Sequence, residues 1–351
     1  MKKISIILKD ITEEGGGERV CANLANALSE SYEIEIVSLY KSFENTNFKI
    51  NKNIPITYLS SFGLKNAFFL KKIFLKTIYR YYLSLKICKL IKQNKTDIVI
   101  ANDGFFVPFF KMKNSLRIWH LDLPKKRKKI FSRFDTLVIL SSKQLLEWQK
   151  YHKNIKVIPN FLPSIPEKMA NLSQKVVLSV GRLTKEKGFL RLVEIWDLVQ
   201  KQEKYKDWKL HIVGGGELEQ ELKAKIKEKN LQEYIELKPF TKEIEKEYLS
   251  ASIYAMTSFF EGFGMVLIEA GSYALPCVAF DVPVGPGAII ENEKTGFLIK
   301  DNELEEFASK LCFLMDNENL KEQMGKAAKL RIQENFSKEI VMKQWEELFR
   351  E

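Results

Sequence analysis

Residues 2–39 read KKISIILKDITEEGGGERVCANLANALSESYEIEIVSL, and this stretch decides the fold. The apolar run before Lys9 predicts a buried strand, and the three glycines at 15–17 predict a tight turn. Apolar residues at helical spacing from Val20 then predict a helix, and a second apolar run at 33–39 predicts another strand. A strand, glycine loop, helix and strand in this order indicate an α/β fold with a parallel sheet covered by helices on both faces.

The same alternation continues along the chain and is interrupted once. Three prolines between Pro159 and Pro166 disfavour both a helix and a central strand. A chain of 351 residues fits two domains of about 100–200 residues each. We therefore predict a Rossmann-like domain over 1–162, a second over 163–335, and a C-terminal helix over 336–351 that packs back towards the first. The further strands are predicted at 97–101, 116–119, 136–140, 176–180, 209–213, 234–237, 253–256, 276–280 and 296–299.

Basic residues are concentrated in the first half of the chain. The whole chain has 56 Lys and Arg against 45 Asp and Glu, yet residues 1–160 carry a net charge of +16 and residues 161–351 one of −5. Between Leu64 and Lys95, nine basic residues and no acid alternate with aromatic side chains, and a second basic cluster occupies 125–129. This pattern suits a solvated helix packed on the sheet, an anionic membrane surface or nucleic acid. We expect membrane contact and no nucleic acid, because no nucleic-acid-binding motif accompanies the charge.

Cysteine spacing and hydropathy indicate where the protein acts. The four cysteines are scattered and lack metal-ligand spacing, which fits a reducing compartment. The first apolar run ends at Lys9, too soon for a signal peptide, and no run reaches the roughly 18–20 apolar residues that span a bilayer. We expect a cytoplasmic protein that is peripheral on the inner face of the cell membrane.

Three strand-to-helix loops suit a phosphorylated ligand. The loop 181–188 contains Arg182 and Lys187, a fork of donors and a point charge that together offset about two negative charges of a diphosphate. A solvated basic loop is the alternative interpretation. The glycines at 15–17 and 214–216 allow a close backbone approach, but Val20 and Glu219 stand where the dinucleotide-binding fingerprint ends in glycine.

The segment 257–270, TSFFEGFGMVLIEA, is the most informative. Glu261 falls in a strand-to-helix loop, and Glu269 falls inside an apolar helix. Burying an acid there is costly unless the acid is paired or bonded to a ligand. The hydroxyl groups of a sugar or a ribose would satisfy it.

Taken in order, these motifs resemble the retaining glycosyltransferases of the GT-B fold, family 4. The resemblance rests on Glu261 and Glu269 with seven residues between them, on the 181–188 loop and on the 15–19 opening, and it covers nearly the whole chain. It is greatest to bacterial members that build lipopolysaccharide, capsule or lipid-linked oligosaccharides. The resemblance implies two Rossmann-like, doubly wound domains that face each other across a cleft.

The implied reaction is transfer of a hexosyl or N-acetylhexosaminyl group with retention. The implied donor is a nucleotide-sugar, a UDP-sugar before any other, and the implied acceptor is a lipid-linked, lipopolysaccharide or capsule glycan. No Asp-x-Asp occurs, so we expect no metal and no cofactor, with Arg182 and Lys187 replacing the ion. A sugar-nucleotide epimerase of similar architecture stays open, as does a non-catalytic basic protein that binds membrane or nucleic acid.

The resemblance also implies roles for single residues. His120 and Glu261 would be catalytic, and a satisfied core histidine is the other interpretation of His120. The remaining assignments are Arg182, Lys187, Gly16 and Gly17 for the donor diphosphate; Glu269, the backbone of Phe263 and Gly264, Met265 and Gly214 for the donor sugar and ribose; and Asp103 and Asp122 for the acceptor.

Overall fold

The computed structural model describes residues 1–65, 67–124 and 129–351, which form two compact units. The first unit comprises Met1–Pro163 and Met342–Glu351, and the second comprises Ser164–Val341. Each contains a parallel sheet flanked by helices, which confirms the predicted α/β class. Most of the predicted basic cluster, residues 125–128, lies outside the described residues.

Parallel strands form the centre of the first unit. They are β1 (Lys3–Leu8), β2 (Glu33–Ser38), β3 (Ile56–Tyr58), β4 (Ile98–Ala101), β5 (Ser115–Trp119), β6 (Thr136–Ile139) and β7 (Ile155–Val157). Their order across the sheet is β3-β2-β1-β4-β5-β6-β7. Ile6 lies between Ile36 and Ile100 on the neighbouring strands, and all three side chains are fully buried. Burial on both faces explains why the central strands are continuous apolar runs.

Helices cover this first sheet. They are α1 (Gly16–Leu28), α2 (Phe69–Phe74), a π-helical turn (Leu75–Tyr79), α3 (Arg80–Gln93), α4 (Leu145–Trp148) and the 3-10 turns Lys129–Arg133 and Ser142–Gln144. The edge strands β3 and β7 were not predicted. Each has three half-buried residues, too few to show a period.

The second unit repeats the architecture with its own sheet. Its strands are β8 (Val176–Val180), β9 (Lys209–Val213), β10 (Ile235–Lys238), β11 (Ile253–Met256), β12 (Cys277–Phe280) and β13 (Gly296–Ile299), in the order β10-β9-β8-β11-β12-β13. Its helices are α5 (Phe189–Gln200), α6 (Glu219–Glu228), α7 (Ile244–Leu249), α8 (Met265–Ser272), α9 (Pro286–Ile289), α10 (Leu304–Asp316) and α11 (Glu318–Phe336), with 3-10 turns Lys185–Lys187 and Glu203–Tyr205.

The last helix, α12 (Lys338–Arg350), contributes most of its residues to the first unit. The ring of Phe349 meets that of Tyr32 edge-on, with centroids 5.4 Å apart. Lys2 Nζ donates to the carbonyl of Phe349 at 2.8 Å. No helix in the described parts of the chain is both long and apolar enough to cross a membrane.

Each sheet has one point where the strand order changes direction. In the first it lies between β1 and β4, and in the second between β8 and β11. Ligands of open α/β sheets bind outside the carboxyl ends of the strands at such a point. The loops after these four strands are therefore where the site residues should lie.

Candidate functional site

In the second unit, the loop after β8 packs closely against the loop after β11. Gly188 has a φ of +67°, and a Cβ at this position would lie 2.0 Å from the carbonyl oxygen of Thr257. Thr257 Oγ1 in turn donates to the carbonyl of Gly188 at 3.0 Å. Only glycine fits this close approach, which holds the predicted diphosphate loop beside the segment of the two glutamates.

Lys187 and Glu261 form an ion pair across these two loops. Lys187 Nζ lies 2.7 Å from Glu261 Oε1; the lysine side chain is 23% exposed and the glutamate 6%. Ser258 Oγ donates to the same carboxylate oxygen at 2.6 Å. The pair satisfies a nearly buried carboxylate while the ammonium still reaches solvent, so the lysine can meet an anion.

Arg191 holds the segment that leads to Glu261. Its Nε donates to the carbonyl of Thr257 and its Nη2 to that of Ser258, both at 2.6 Å. Its Nη1 lies 2.7 Å from a carboxylate oxygen of Asp301. Burial lowers the pKa of Arg191, and the bond to Asp301 opposes that effect. The guanidinium is thus hydrogen-bonded within the protein, and it fixes the two residues that follow β11.

Two aromatic rings enclose the same guanidinium. The ring centroids of Phe259 and Phe280 lie 3.8 and 4.0 Å from its central carbon. Stacking of this kind suits the planar guanidinium and not the ammonium of lysine. Arg191 was missed by the sequence reasoning, although an arginine on a buried face of α5 is an available signal.

Glu269 is the second buried acid of the segment. It lies on α8, and Tyr248 on α7 donates its hydroxyl to Oε2 at 2.8 Å. The ring of Tyr248 stacks on that of Tyr273 with centroids 5.3 Å apart. Tyr248 was also missed, because no local pattern connects it with an acid 21 residues further on.

Around the start of α8, glycines shape the backbone and one aromatic ring lies in the hydrophobic core. Gly264 begins the helix with a φ of +91°, and Met265 is its first residue. The ring of Phe263 is buried and meets Phe336 edge-on at 5.9 Å, so its side chain belongs to the core. A Cβ on Gly285 would lie 2.2 Å from the carbonyl oxygen of Phe263. The predicted sugar-binding role of Phe263 can therefore rest only on its backbone.

The glycine loop after β9 lies against the diphosphate loop. A Cβ on Gly214 would lie 1.9 Å from the carbonyl oxygen of Gly181. Leu183 donates its amide to the carbonyl of Gly215 at 2.9 Å. Arg182 is exposed beside this contact. The structure thus brings Arg182, Lys187, Gly214 and Glu261 to one edge of the second sheet.

In the first unit, Asn102 connects two predicted site residues. Its Oδ1 lies 3.3 Å from Nε2 of His120, and its Nδ2 donates to the carbonyl of Gly17 at 3.0 Å. The pKa of His120 is lowered to about 4, mainly by burial and to a smaller extent by the nearby charge of Arg117, while a hydrogen bond to Asn102 opposes the shift. The imidazole is neutral at physiological pH. Asn102 itself is buried and was not predicted.

The two predicted acceptor residues are both engaged in holding loops. Asp103 accepts from the backbone amides of Phe105, at 2.8 Å, and Lys9. Burial raises the pKa of Asp103. Asp122 Oδ1 accepts from the amide of Leu123 and from Nε2 of Gln144, both at 2.6 Å. Both oxygens of Asp103 therefore already accept a backbone amide, whereas both of these bonds to Asp122 use Oδ1. The predicted contact with an acceptor would have to share an oxygen of Asp103 or use Oδ2 of Asp122.

The helix after the first glycine loop begins at Gly16. Gly16 and Gly17 form its first turn, and a Cβ at either position would meet nothing within 4 Å. The helix N-terminus offers backbone amides that favour an anion. Among the residues that the structure describes, no group of three or more His, Cys, Asp or Glu side chains is placed to hold a metal ion.

Comparisons with known proteins identify the family of this chain. A family model described as glycosyl transferases group 1 matches residues 163–331. A Haemophilus influenzae protein described as an uncharacterized glycosyltransferase is 32% identical and aligns with 98% of this chain and 99% of its own. A Campylobacter jejuni alpha-1,4-N-acetyl-D-galactosaminyltransferase, whose name specifies a PP-undecaprenol-linked substrate, is 24% identical over 100% of this chain and 99% of its own.

The fold is shared with solved structures as well. TarM of S. aureus, crystallised with UDP, superimposes with a TM-score of 0.79 at 19% identity over 100% of both chains. The two parallel α/β sheets of this chain form the GT-B fold, which TarM shares. The chain belongs to the glycosyl transferases group 1 family, which is the predicted family 4.

Proposed function

We propose that this glycosyltransferase transfers a sugar with retention from a UDP-sugar to a lipid-linked glycan of a bacterial surface polysaccharide. The observation that carries the proposal is the contact of Lys187 with Glu261, which places a solvent-reaching cation and a buried carboxylate at the switch point of the second sheet. A nucleoside diphosphate-sugar needs both: a cation for its phosphates and an acceptor of hydrogen bonds for its hydroxyls.

The donor is proposed to be held by the second unit. Arg182 and Lys187 bind the diphosphate, and Glu269, oriented by Tyr248, accepts from the ribose hydroxyls. Glu261 faces the sugar, with the backbone of 263–265 beside it and Gly214 leaving room for the phosphates. The presence of UDP in the crystal of TarM supports uracil as the base.

A lipid-linked acceptor is supported by the PP-undecaprenol in the name of the Campylobacter relative. Transfer of an N-acetylhexosaminyl group is supported by the same name. His120, Asp103 and Asp122 are proposed to face the acceptor from the first unit. Family membership favours this transferase over an epimerase and over a non-catalytic binding protein.

The proposed mechanism relies on positioning and charge. The acceptor oxygen attacks the anomeric carbon on the face from which UDP departs, and a phosphate oxygen of the leaving UDP takes the proton of the acceptor hydroxyl. Arg182 and Lys187 stabilise the negative charge that develops on the diphosphate. The neutral His120 accepts a hydrogen bond from the acceptor or the donor sugar and orients it.

A donor panel tests the proposal. The enzyme is incubated with UDP-, GDP- and ADP-sugars, and nucleotide release is measured with and without a membrane extract as the acceptor source. We expect release from UDP-sugars, stimulated by the extract, together with a glycosylated lipid whose anomeric configuration matches that of the donor.

The matched control is a pair of neighbouring lysines. Lys187→Met should abolish most of the release, whereas Lys185→Met, an exposed position two residues away, should release UDP at the wild-type rate. Equal rates in the two variants would refute the assignment of the diphosphate site. Conversion of the UDP-sugar to an epimer without a glycosylated product would refute the transferase itself.

A further inference from the structure

The helical stretch from Phe69 to Gln93 exposes apolar and basic side chains together. Phe68 is 87% exposed, Phe69 76%, Leu70 79% and Ile78 69%. Ile73 and Phe74 are exposed to a lesser extent. Exposed lysines stand among them. We call this set the aromatic-basic face, and it consists of Phe68, Phe69, Leu70, Lys71, Ile73, Phe74, Lys76, Ile78, Tyr82 and Lys86.

Other residues of the same stretch anchor it to the first unit. Leu75, Leu83 and Ile87 are buried in the hydrophobic core. Tyr40 donates its hydroxyl to the carbonyl of Leu75 at 2.6 Å. A helix packed on a sheet normally turns its polar residues outward. Here the buried residues already anchor the helices to the core, so the exposed apolar residues are not needed for packing.

The charges of this face have one sign. The sequence contains no Asp or Glu between Glu44 and Asp97. The ammonium of Lys71 lies 4.3 Å from the ring centroid of Phe62, and that of Lys86 lies 4.8 Å from the ring centroid of Tyr82. Each cation thus sits next to an aromatic body, the combination that long basic side chains adopt where an apolar layer meets water.

We propose that the aromatic-basic face docks on an anionic lipid bilayer, with the phenylalanines and aliphatic side chains entering the headgroup boundary and the lysines contacting lipid phosphates. Positive charge without acids matches the anionic surface of a membrane. Apolar side chains beside the lysines match the acyl boundary below that surface. The two features together specify a layered partner.

Other occupants fit less well. A second copy of this chain bound through the same face would place lysines against lysines, since a two-fold interface pairs a surface with itself. Single-stranded nucleic acid stacks on aromatic rings, but the aliphatic Leu70, Ile73 and Ile78 offer no such platform. A bilayer uses the aromatic, aliphatic and basic side chains alike.

The inference rests on the proposed function in one respect: membrane docking would give the enzyme access to a lipid-linked acceptor. The binding is tested without sugar. Full-length protein is floated with vesicles of phosphatidylcholine alone or mixed with phosphatidylglycerol, at low and high salt. We expect binding to the mixed vesicles, at least tenfold stronger than to phosphatidylcholine, and a residual binding at high salt from the apolar contacts.

Three sets of variants separate the two contributions. Phe69→Gln with Leu70→Gln and Ile78→Gln should remove the salt-resistant part, because glutamine keeps helix propensity without apolar surface. Lys71→Gln with Lys76→Gln should remove the salt-sensitive part. The matched control is Phe240→Gln with Leu330→Gln, two exposed apolar residues of the second unit, which should bind like the wild type.

A depth measurement distinguishes insertion from adsorption. Phe69→Trp should add fluorescence that is quenched by lipids with brominated acyl chains, whereas Phe240→Trp should add fluorescence that is not. No binding to anionic vesicles, or wild-type binding by the Phe69, Leu70 and Ile78 variant, would overturn the inference. A change in the oligomeric mass of that variant without lipid would also overturn the inference. Displacement of the vesicles from the protein by single-stranded RNA would overturn it as well.

The outcome is separable from that of the proposed function. None of the residues proposed to bind the donor belongs to the aromatic-basic face, so the face variants should hydrolyse a UDP-sugar without an acceptor at the wild-type rate. Normal hydrolysis with no vesicle binding would remove the inference and leave the transferase intact. Vesicle binding without any nucleotide release would refute the transferase and leave the inference intact.

Discussion

Lys187 and Glu261 are 74 residues apart in the sequence, and their charged atoms lie 2.7 Å apart in the structure. The lysine comes from the loop after β8 and the glutamate from the loop after β11, the two central strands of the second sheet. Glu261 therefore fixes the position of the Lys187 ammonium, and we expect the phosphate proposed to bind there to meet a cation that is already in place.

Removal of the lysine alone should destabilise the protein. Lys187→Met leaves the nearly buried carboxylate of Glu261 with its cation gone, at a cost of about 1–3 kcal/mol in the free energy of unfolding. The double variant with Glu261→Gln should recover most of that loss, because the buried charge is removed too. Urea unfolding measures both. UDP affinity by calorimetry should stay at least tenfold weaker in both variants, and recovery of affinity in the double variant would contradict the diphosphate role of Lys187.

Deletion of one hydroxyl should weaken nucleotide binding. Tyr248→Phe removes the hydrogen bond to Glu269 Oε2, and a bond to a charged group contributes about 1.5–3 kcal/mol. We expect roughly a tenfold or greater loss of UDP affinity by calorimetry. Tyr234→Phe, a hydroxyl deletion elsewhere in the second unit, is the control. Wild-type affinity in Tyr248→Phe would show that Tyr248 does not orient Glu269 for the ribose.

Arg191 should act as a positioning residue. Arg191→Lys keeps the charge beside Asp301 but cannot donate to the carbonyls of Thr257 and Ser258 at once. Small displacements of reacting groups can cost on the order of 100-fold in rate. We expect kcat to fall roughly 10–100-fold with KM for the UDP-sugar changed by less than about threefold, since Arg182 and Lys187 remain. An equal rise in KM with unchanged kcat would indicate a direct binding role instead.

Protonation of His120 should oppose folding at acid pH. Its pKa is lowered to about 4 in the folded state, mainly by burial, so the unfolded chain binds the proton first as the pH falls below about 6.5. The stabilising effect of the neutral imidazole is therefore present at neutral pH and is lost as the pH falls towards 4. Between about pH 7 and pH 5 this loss is about 2 kcal/mol.

The comparison with His120→Gln isolates that contribution. The variant should lose less unfolding free energy than the wild type between the two pH values, while its glutamine can still bond to Asn102. Burial also lowers the pKa of His211, and this effect is common to both proteins and cancels in the difference. Identical pH slopes for the two proteins would contradict the folded-state pKa of His120.

Transfer should proceed without a divalent cation. The sequence has no Asp-x-Asp, and Arg182 and Lys187 supply two positive charges for the diphosphate. UDP release should be unchanged by a chelator, and the Lys187→Met variant should not be rescued by added Mg²⁺ or Mn²⁺. Loss of activity in chelator that either ion restores would contradict this prediction.

Much of the fold followed from local patterns. The apolar runs at 176–180 and 253–256 were predicted as strands with the observed ends, since central parallel strands are buried on both faces. The strands β3 and β7 were missed because each has only three residues, all half-buried, whereas the edge strand β13 was predicted because most of its residues are buried.

The candidate site was predictable only in part. Glu261, Glu269 and Lys187 stand in recognisable segments, but Tyr248, Arg191 and Asn102 act through partners far away in sequence. Hydrogen bonds between distant segments produce no periodic pattern in the amino-acid sequence. A single arginine or tyrosine at a buried position is also compatible with ordinary packing.

By itself, the sequence determined the α/β class, the uneven charge and the family, because hydrophobic period and loop composition are properties of neighbouring residues. Only the tertiary structure decided which side chains meet. It paired Lys187 with Glu261, turned the ring of Phe263 into the core, and left Phe69 and Leu70 outside it. Those outcomes depend on how strands and helices pack, and packing joins residues that the sequence keeps far apart.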